Sequence, residues 1–99
     1  MLDQLYVASG SRRDKIQIYY DIIKVSTRPT RVTRLIRLAN VQYNTFIECT
    51  ETLIKAGLLE KVILNSRRKR DNPKEIYKAT KIGLKWCEQV DDIYNSLSI

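Results

Sequence analysis

The side chains of this 99-residue chain that could do chemistry are suited to recognition, not to catalysis. There is no histidine, the commonest general base and metal ligand, and three scattered glycines make no phosphate-cradling loop. Cys49 and Cys87 are too few and too far apart for a disulfide scaffold or a four-ligand zinc site. Both fall inside predicted helices, where small core residues are expected. No enzyme, metal or cofactor is therefore expected, and no small-molecule sensor pocket is visible. What remains is three groups of polar and cationic side chains. Gln42, Asn44, Thr45 and Glu48 have hydrogen-bonding ends of the kind that base edges accept: Asn and Gln pair with adenine, and Glu accepts from cytosine. Arg31, Arg34 and Arg37 recur every three residues. Arg67, Arg68, Lys69 and Arg70 are consecutive; they repel one another, and a packed core gives no reason to gather them. A phosphate backbone, or a narrow minor groove taking an arginine, does.

Overall charge agrees. The formal charge is +7 and the pI about 9.6, which points to a polyanionic partner. All 18 Lys and Arg lie between Arg12 and Lys85, among only seven acids. From Trp86 onward there are Glu88, Asp91 and Asp92 and no cation. A basic body and an acidic tail imply different tasks. The length suits one domain with a modest core. No apolar run approaches the roughly 18 residues of a membrane span, and MLDQLYVASGS lacks a charged-then-apolar signal pattern. A cytoplasmic, nucleoid-associated location follows as an expectation.

The elements that must position these groups can be placed by periodicity. Residues 1–10 have no sustained period and form either a flexible lead-in or an arm packed on the domain. Ser11 is a candidate cap, with Asp14 three residues on. Ile16, Tyr19, Tyr20 and Ile23, widened by Ile22, predict a helix from Arg12 to about Ser26. Thr27-Arg28-Pro29 interrupts it. Thr30 is expected to cap a second helix to about Ala39, with Val32, Leu35, Ile36 and Ala39 inward and the three arginines outward. Asn40 suits the left-handed conformation that ends a helix, and Val41 is expected to plug the turn. A third helix runs from about Gln42 to Ala56 and stops at Gly57. Phe46, Cys49 and Leu53 form one inward row, and Tyr43, Ile47, Thr50 and Ile54 the adjoining one. Two helices joined by a tight turn, the second aimed outward, present side chains to a DNA groove. Tyr43, at the head of that helix, joins Gln42, Asn44, Thr45 and Glu48 as a DNA-contact candidate. Leu58 to Leu64 and Glu75 to Ala79 predict a hairpin around the basic loop. Thr80 caps a last helix to about Leu97, in which Trp86, Val90, Ile93 and Leu97 make a heptad-like seam widened by Ile82, Cys87 and Tyr94. Its first turns can lie on the first helix. The last two turns extend past so small a domain, so Trp86, Val90, Ile93, Tyr94 and Leu97 are expected to form a homodimer contact.

A family pattern appears in these residues. Thr30-Arg31, Ala39-Asn40-Val41-Gln42-Tyr43, Leu53-Ile54-Lys55-Ala56-Gly57-Leu58-Leu59-Glu60 and Tyr77-Lys78-Ala79-Thr80-Lys81-Ile82-Gly83 together resemble a family of small archaeal winged-helix proteins. It includes ten-kilodalton, coiled-coil-dimerised DNA-binding proteins of Sulfolobus and transcription regulators. The likeness covers about residues 12–97. It implies a mainly α fold with a small β-hairpin: a winged helix-turn-helix over residues 11–79 and a C-terminal dimerisation helix over 80–99. It also implies binding to double-stranded DNA. The chain departs from the family pattern at Gln42, where a serine cap is usual, and at Ile82, where a lysine is usual.

Three functions are compatible with these expectations. A sequence-specific transcriptional regulator would read bases with the third helix and clamp phosphates with Arg31, Arg34 and the wing. An architectural chromatin protein would bind through phosphates with little base preference. A protein-interaction module would have kept the fold and lost DNA. Glu48 and Glu51 repel phosphates unless set over a suitable base, so the regulator is preferred. The basic loop makes the third reading the weakest.

Overall fold

The computed structural model describes residues 14–64 and 74–97. The Ser11 cap, the role of residues 1–10 and the Arg67–Arg70 loop lie outside the described residues. Among the described residues, four helices and three strands follow one another in the order α1 (Lys15–Val25), β1 (Thr30–Arg31), α2 (Val32–Ala39), α3 (Tyr43–Lys55), β2 (Leu59–Leu64), β3 (Lys74–Ala79) and α4 (Lys81–Leu97). The fold is mainly helical with a small antiparallel sheet, as expected. No helix among the described residues is long and apolar enough to cross a membrane.

Each helix end has an identifiable cause. Asp14 caps α1, its carboxylate accepting from the Gln17 N–H at 2.9 Å. Asn40 ends α2 in the left-handed conformation at φ 54°. The N–H groups of Asn40 and Val41 then donate back to the Arg37 and Ile36 carbonyls, which is a Schellman closure. Gly57, at φ 79°, repeats the device for α3: its N–H donates to Ile54 and that of Leu58 to Leu53. Thr80 caps α4 by accepting from the Gly83 N–H at 3.0 Å.

Thr30 does not cap α2. It sits in β1, opposite Tyr77 of β3, and its hydroxyl donates to the carbonyls of Arg28 (2.7 Å) and Val25 (3.3 Å). Pairing with β3 fixes its backbone and leaves the hydroxyl on the preceding turn. The N-cap of α2 is Arg31, which makes no side-chain cap bond.

The core lies where α1, α2, α3 and the base of the sheet meet. Ile22, Ile23, Leu35, Phe46, Leu53 and Leu59 are fully buried there. Each such side chain contributes on the order of 2 kcal/mol. Phe46 and Tyr77 cross edge to face at 5.5 Å, tying α3 to β3. On α3 the buried set is Phe46, Cys49, Thr50 and Leu53. Tyr43 (62% exposed) and Ile54 (38%) lie outside it, so the expected second inward row reduces to half-buried Ile47 and buried Thr50. Burial pushes the Cys87 thiol up to about 11, and the Cys49 thiol up as well. Both are neutral at physiological pH and fill core space.

The sheet order is β1-β3-β2, with Leu59 opposite Ala79 and Leu64 opposite Lys74 in the hairpin. Only Leu59 of β2 is buried; Val62, Ile63 and Leu64 are exposed. The apolar run expected to form a hairpin strand does so, with only its base covered.

Helix α4 divides its apolar residues into two stripes. Gly83, Cys87 and Val90 are buried and Tyr94 half-buried, facing the body of the same chain. The neighbouring stripe of Ile82, Trp86, Ile93 and Leu97 is open at Ile82, Ile93 and Leu97, at 64%, 58% and 71% exposure, while half-buried Trp86 packs partly against the core. The Tyr20 hydroxyl donates to Asp91 at 2.7 Å, and Lys24 lies 3.8 Å from the other carboxylate oxygen. Those bonds tie the third turn of α4 to α1.

Gly83 permits the closest of these approaches. A Cβ there would overlap the Leu58 carbonyl oxygen, a backbone atom that cannot step aside. Gly83→Ala is expected to cost about 2–3 kcal/mol through that overlap, read from the urea midpoint at unchanged slope. A loss below about 0.5 kcal/mol would contradict so close a contact.

Candidate nucleic-acid interface

The two helices joined by the tight turn expose different chemistry. Arg34 and Arg37 are exposed on α2, as their spacing predicts, and Arg31 is exposed just before it, in β1 at the N-cap position. On α3 the residues left to solvent at the N-terminal end are Gln42, Tyr43, Asn44 and Glu48, with Thr45 half-buried. Lys61 pairs across the hairpin with Glu75 at 3.2 Å, which holds its ammonium above the usual lysine range. Lys74 and Lys78 are also exposed on β3.

The caps separate the helices into two kinds. Helices α1 and α4 are closed by the side chains of Asp14 and Thr80. Helices α2 and α3 begin at Arg31 and Gln42 with no side-chain cap bond and no acidic residue in the first turn. Their first backbone N–H groups are left for solvent or an incoming acceptor, and the helix dipole makes an anion the favoured one. These are the two helices that flank the Asn40–Gln42 turn.

A groove of about 600 Å³ runs beside α2, lined by Lys24, Val25, Thr27, Arg28, Pro29, Thr30, Arg31, Arg34 and Leu38. Among the described residues, Arg28, Arg31 and Arg34 have no ion-pair partner. Arg31 and Arg34 follow from the sequence pattern, whereas Lys24, Arg28 and Leu38 do not, and the pocket itself is not expected from the sequence. The available signal was the pair of cations, Lys24 and Arg28, flanking the Pro29 break. What brings them beside α2 is the β1–β3 pairing, which single-helix periodicity does not encode.

Three helices, a left-handed turn between the second and third, and a hairpin with a short third strand define the winged helix-turn-helix arrangement. The chain belongs to the winged helix-turn-helix family, whose family model matches residues 12–98. Among solved structures it is similar to a PadR-like transcription factor from Bacteroides fragilis, at 19% identity and TM-score 0.74, over 84% of each chain. It is also similar to a PadR family transcriptional regulator from Eggerthella lenta, at 20% identity and TM-score 0.72, over 84% of this chain and 76% of that one. Sso10a-2, a DNA-binding protein from Sulfolobus solfataricus, shares 25% identity and a TM-score of 0.65 over 86% of this chain and 85% of its own. No curated protein matches the chain at a level that marks a relative.

Gln42 allows a direct test of the uncapped start of α3. Gln42→Ser supplies the missing cap and is expected to raise stability by about 1 kcal/mol, seen as a higher urea midpoint. A variant no more stable than its parent would show that those N–H groups already have a partner.

Proposed function

We propose that the chain binds double-stranded DNA as a dimeric, sequence-specific transcriptional regulator associated with the nucleoid. The observation that carries this reading is the pairing of uncapped N-termini on α2 and α3 with exposed, unpaired arginines on α2. Backbone N–H groups and arginines together are what a duplex backbone engages, and such contacts fix register without reading sequence. Arg31 and Arg34 take that role, joined by the wing cations Arg67, Arg68, Lys69 and Arg70. Gln42, Tyr43, Asn44, Thr45 and Glu48 then read base edges in the major groove. The similar structures of Sso10a-2, a DNA-binding protein, and of a PadR-like transcription factor support the same reading.

An architectural protein would use the same cations. Glu48 and Glu51, both exposed on α3, favour the regulator, because each repels phosphate unless it lies over a matching base. Dimerisation is assigned to Ile82, Trp86, Ile93 and Leu97, the open stripe of α4; Val90 is buried in its own chain and Tyr94 half-buried beside it. An apolar stripe of this kind is what a second helix covers, and residues from Trp86 onward carry no cation that would draw them to DNA.

Binding to a random duplex and to a site selected from a random pool, across a salt series, separates these functions. The regulator predicts a specificity ratio of at least roughly 10³ that survives moderate salt. Equal affinity for both duplexes with one steep salt slope would make the protein architectural. No duplex binding at low salt would leave only a protein-interaction role. For the dimer, Ile93→Asp with Leu97→Asp is expected to give a folded monomer by sedimentation at micromolar concentration. A parent already monomeric there would refute the assignment.

A further inference from the structure

We propose that the groove between the end of α1 and the outer face of α2 binds a small organic anion, an acidic group carried on an apolar body. Its charge is one-sided. Lys24, Arg28, Arg31 and Arg34 line it, with no carboxylate among the lining residues. Its apolar lining is Val25, Pro29 and Leu38, the last 51% exposed. A bare phosphate backbone would satisfy the cations and leave Leu38 in water. A ligand with an apolar body covers both. The volume of about 600 Å³ also falls inside the roughly 300–1,000 Å³ range of small-molecule sites.

Lys24 is the adjustable member of the set. It stands 3.8 Å from Asp91, with both side chains well exposed, and 5.5 Å from the centre of the Tyr20 ring. An ion pair that long and that wet holds its lysine weakly. Asp91 keeps the Tyr20 hydroxyl when Lys24 turns toward the groove. Arg31 and Arg34 are shared with the phosphate contacts of the proposed function. On that reading an occupied groove withdraws two DNA-facing arginines, so the anion and DNA oppose each other's binding by the same factor.

The test uses phenyl phosphate and inorganic phosphate as probes, followed by amide and side-chain NMR shifts on the full chain. Phenyl phosphate is expected to shift Lys24, Arg28, Arg34 and Leu38 saturably and to bind at least tenfold more tightly than inorganic phosphate. Leu38→Ser is expected to erase that advantage, and Arg28→Gln to weaken both probes; all these positions are exposed, so the fold is retained. Shifts spread over the whole surface, or equal affinity for the two probes, would overturn the site and mark the groove as a seat for nucleic-acid phosphate alone. In a second arm, saturating phenyl phosphate at matched ionic strength is expected to weaken duplex binding at least fivefold in the parent and not in Arg28→Gln. Unchanged duplex affinity with the groove full would refute the antagonism. Absence of duplex binding in every buffer would instead defeat the DNA reading, with the probe shifts still reporting on the groove.

Discussion

The arrangement depends on one backbone junction, where the start of α4 closes on the turn after α3. The Thr80 hydroxyl donates to the Gly57 carbonyl at 2.6 Å, the Thr80 N–H donates to the Leu58 carbonyl at 3.2 Å, and Gly83 lets the next turn settle against Leu58. The Gly57–Leu58 turn thus ends α3, begins β2 and receives α4. The same threonine oxygen that donates to Gly57 accepts from the Gly83 N–H, so the cap of α4 and its docking are one hydrogen-bond relay. Three elements are held by groups that have little freedom to move. A shift of α4 would therefore bear directly on the C-terminal end of α3.

What could be read from the residues alone was the chemistry confined to a few neighbours in the chain. The turns at Asn40 and Gly57 and the cap that Thr80 gives Gly83 are local devices, and all three residues behave there as their types require. The arginines of α2 face outward for the same reason, since one helical period decides it. Thr30 shows where this stops. Its type allows both a cap and a strand residue, and the choice is made by Tyr77, 47 positions away. The apolar run Val62–Leu64 shows a second limit. Strand-forming residues specify extended backbone, but whether anything covers them depends on the layers around the hairpin.

The seam of α4 was legible as apolar yet not as two surfaces. Residues 83, 87, 90 and 94 form one helical stripe, and 82, 86, 93 and 97 form its neighbour, about 100° around the axis. Periodicity merges them into one wide band. They separate only once Gly83 chooses which stripe faces the body, because the close approach at Leu58 fixes the rotation of the whole helix. The residue types at the far end then follow. Asp91, one position past buried Val90, reaches Tyr20 and Lys24 on α1, while Ile93 and Leu97 turn away. A lysine at position 82, usual in the resembled family, would have put charge at the head of the open stripe; Ile82 extends it.

If the chain binds DNA as proposed, the polar face of α3 and the cations around it divide recognition between them. Glu48 and Glu51 make α3 itself a poor magnet for phosphate, whereas α2 carries exposed arginines and an uncapped start. Long-range attraction then comes from the flanks, and it is the part that salt screens. On the proposed reading, discrimination among base pairs falls to short side chains on α3, whose hydrogen bonds form only at contact and depend little on ionic strength. A groove ligand that engages Arg31 and Arg34 would act on the first of these and leave the second intact. It would lower occupancy of all sites together without rewriting which site is preferred, because the residues that compare bases are not the residues the groove contains.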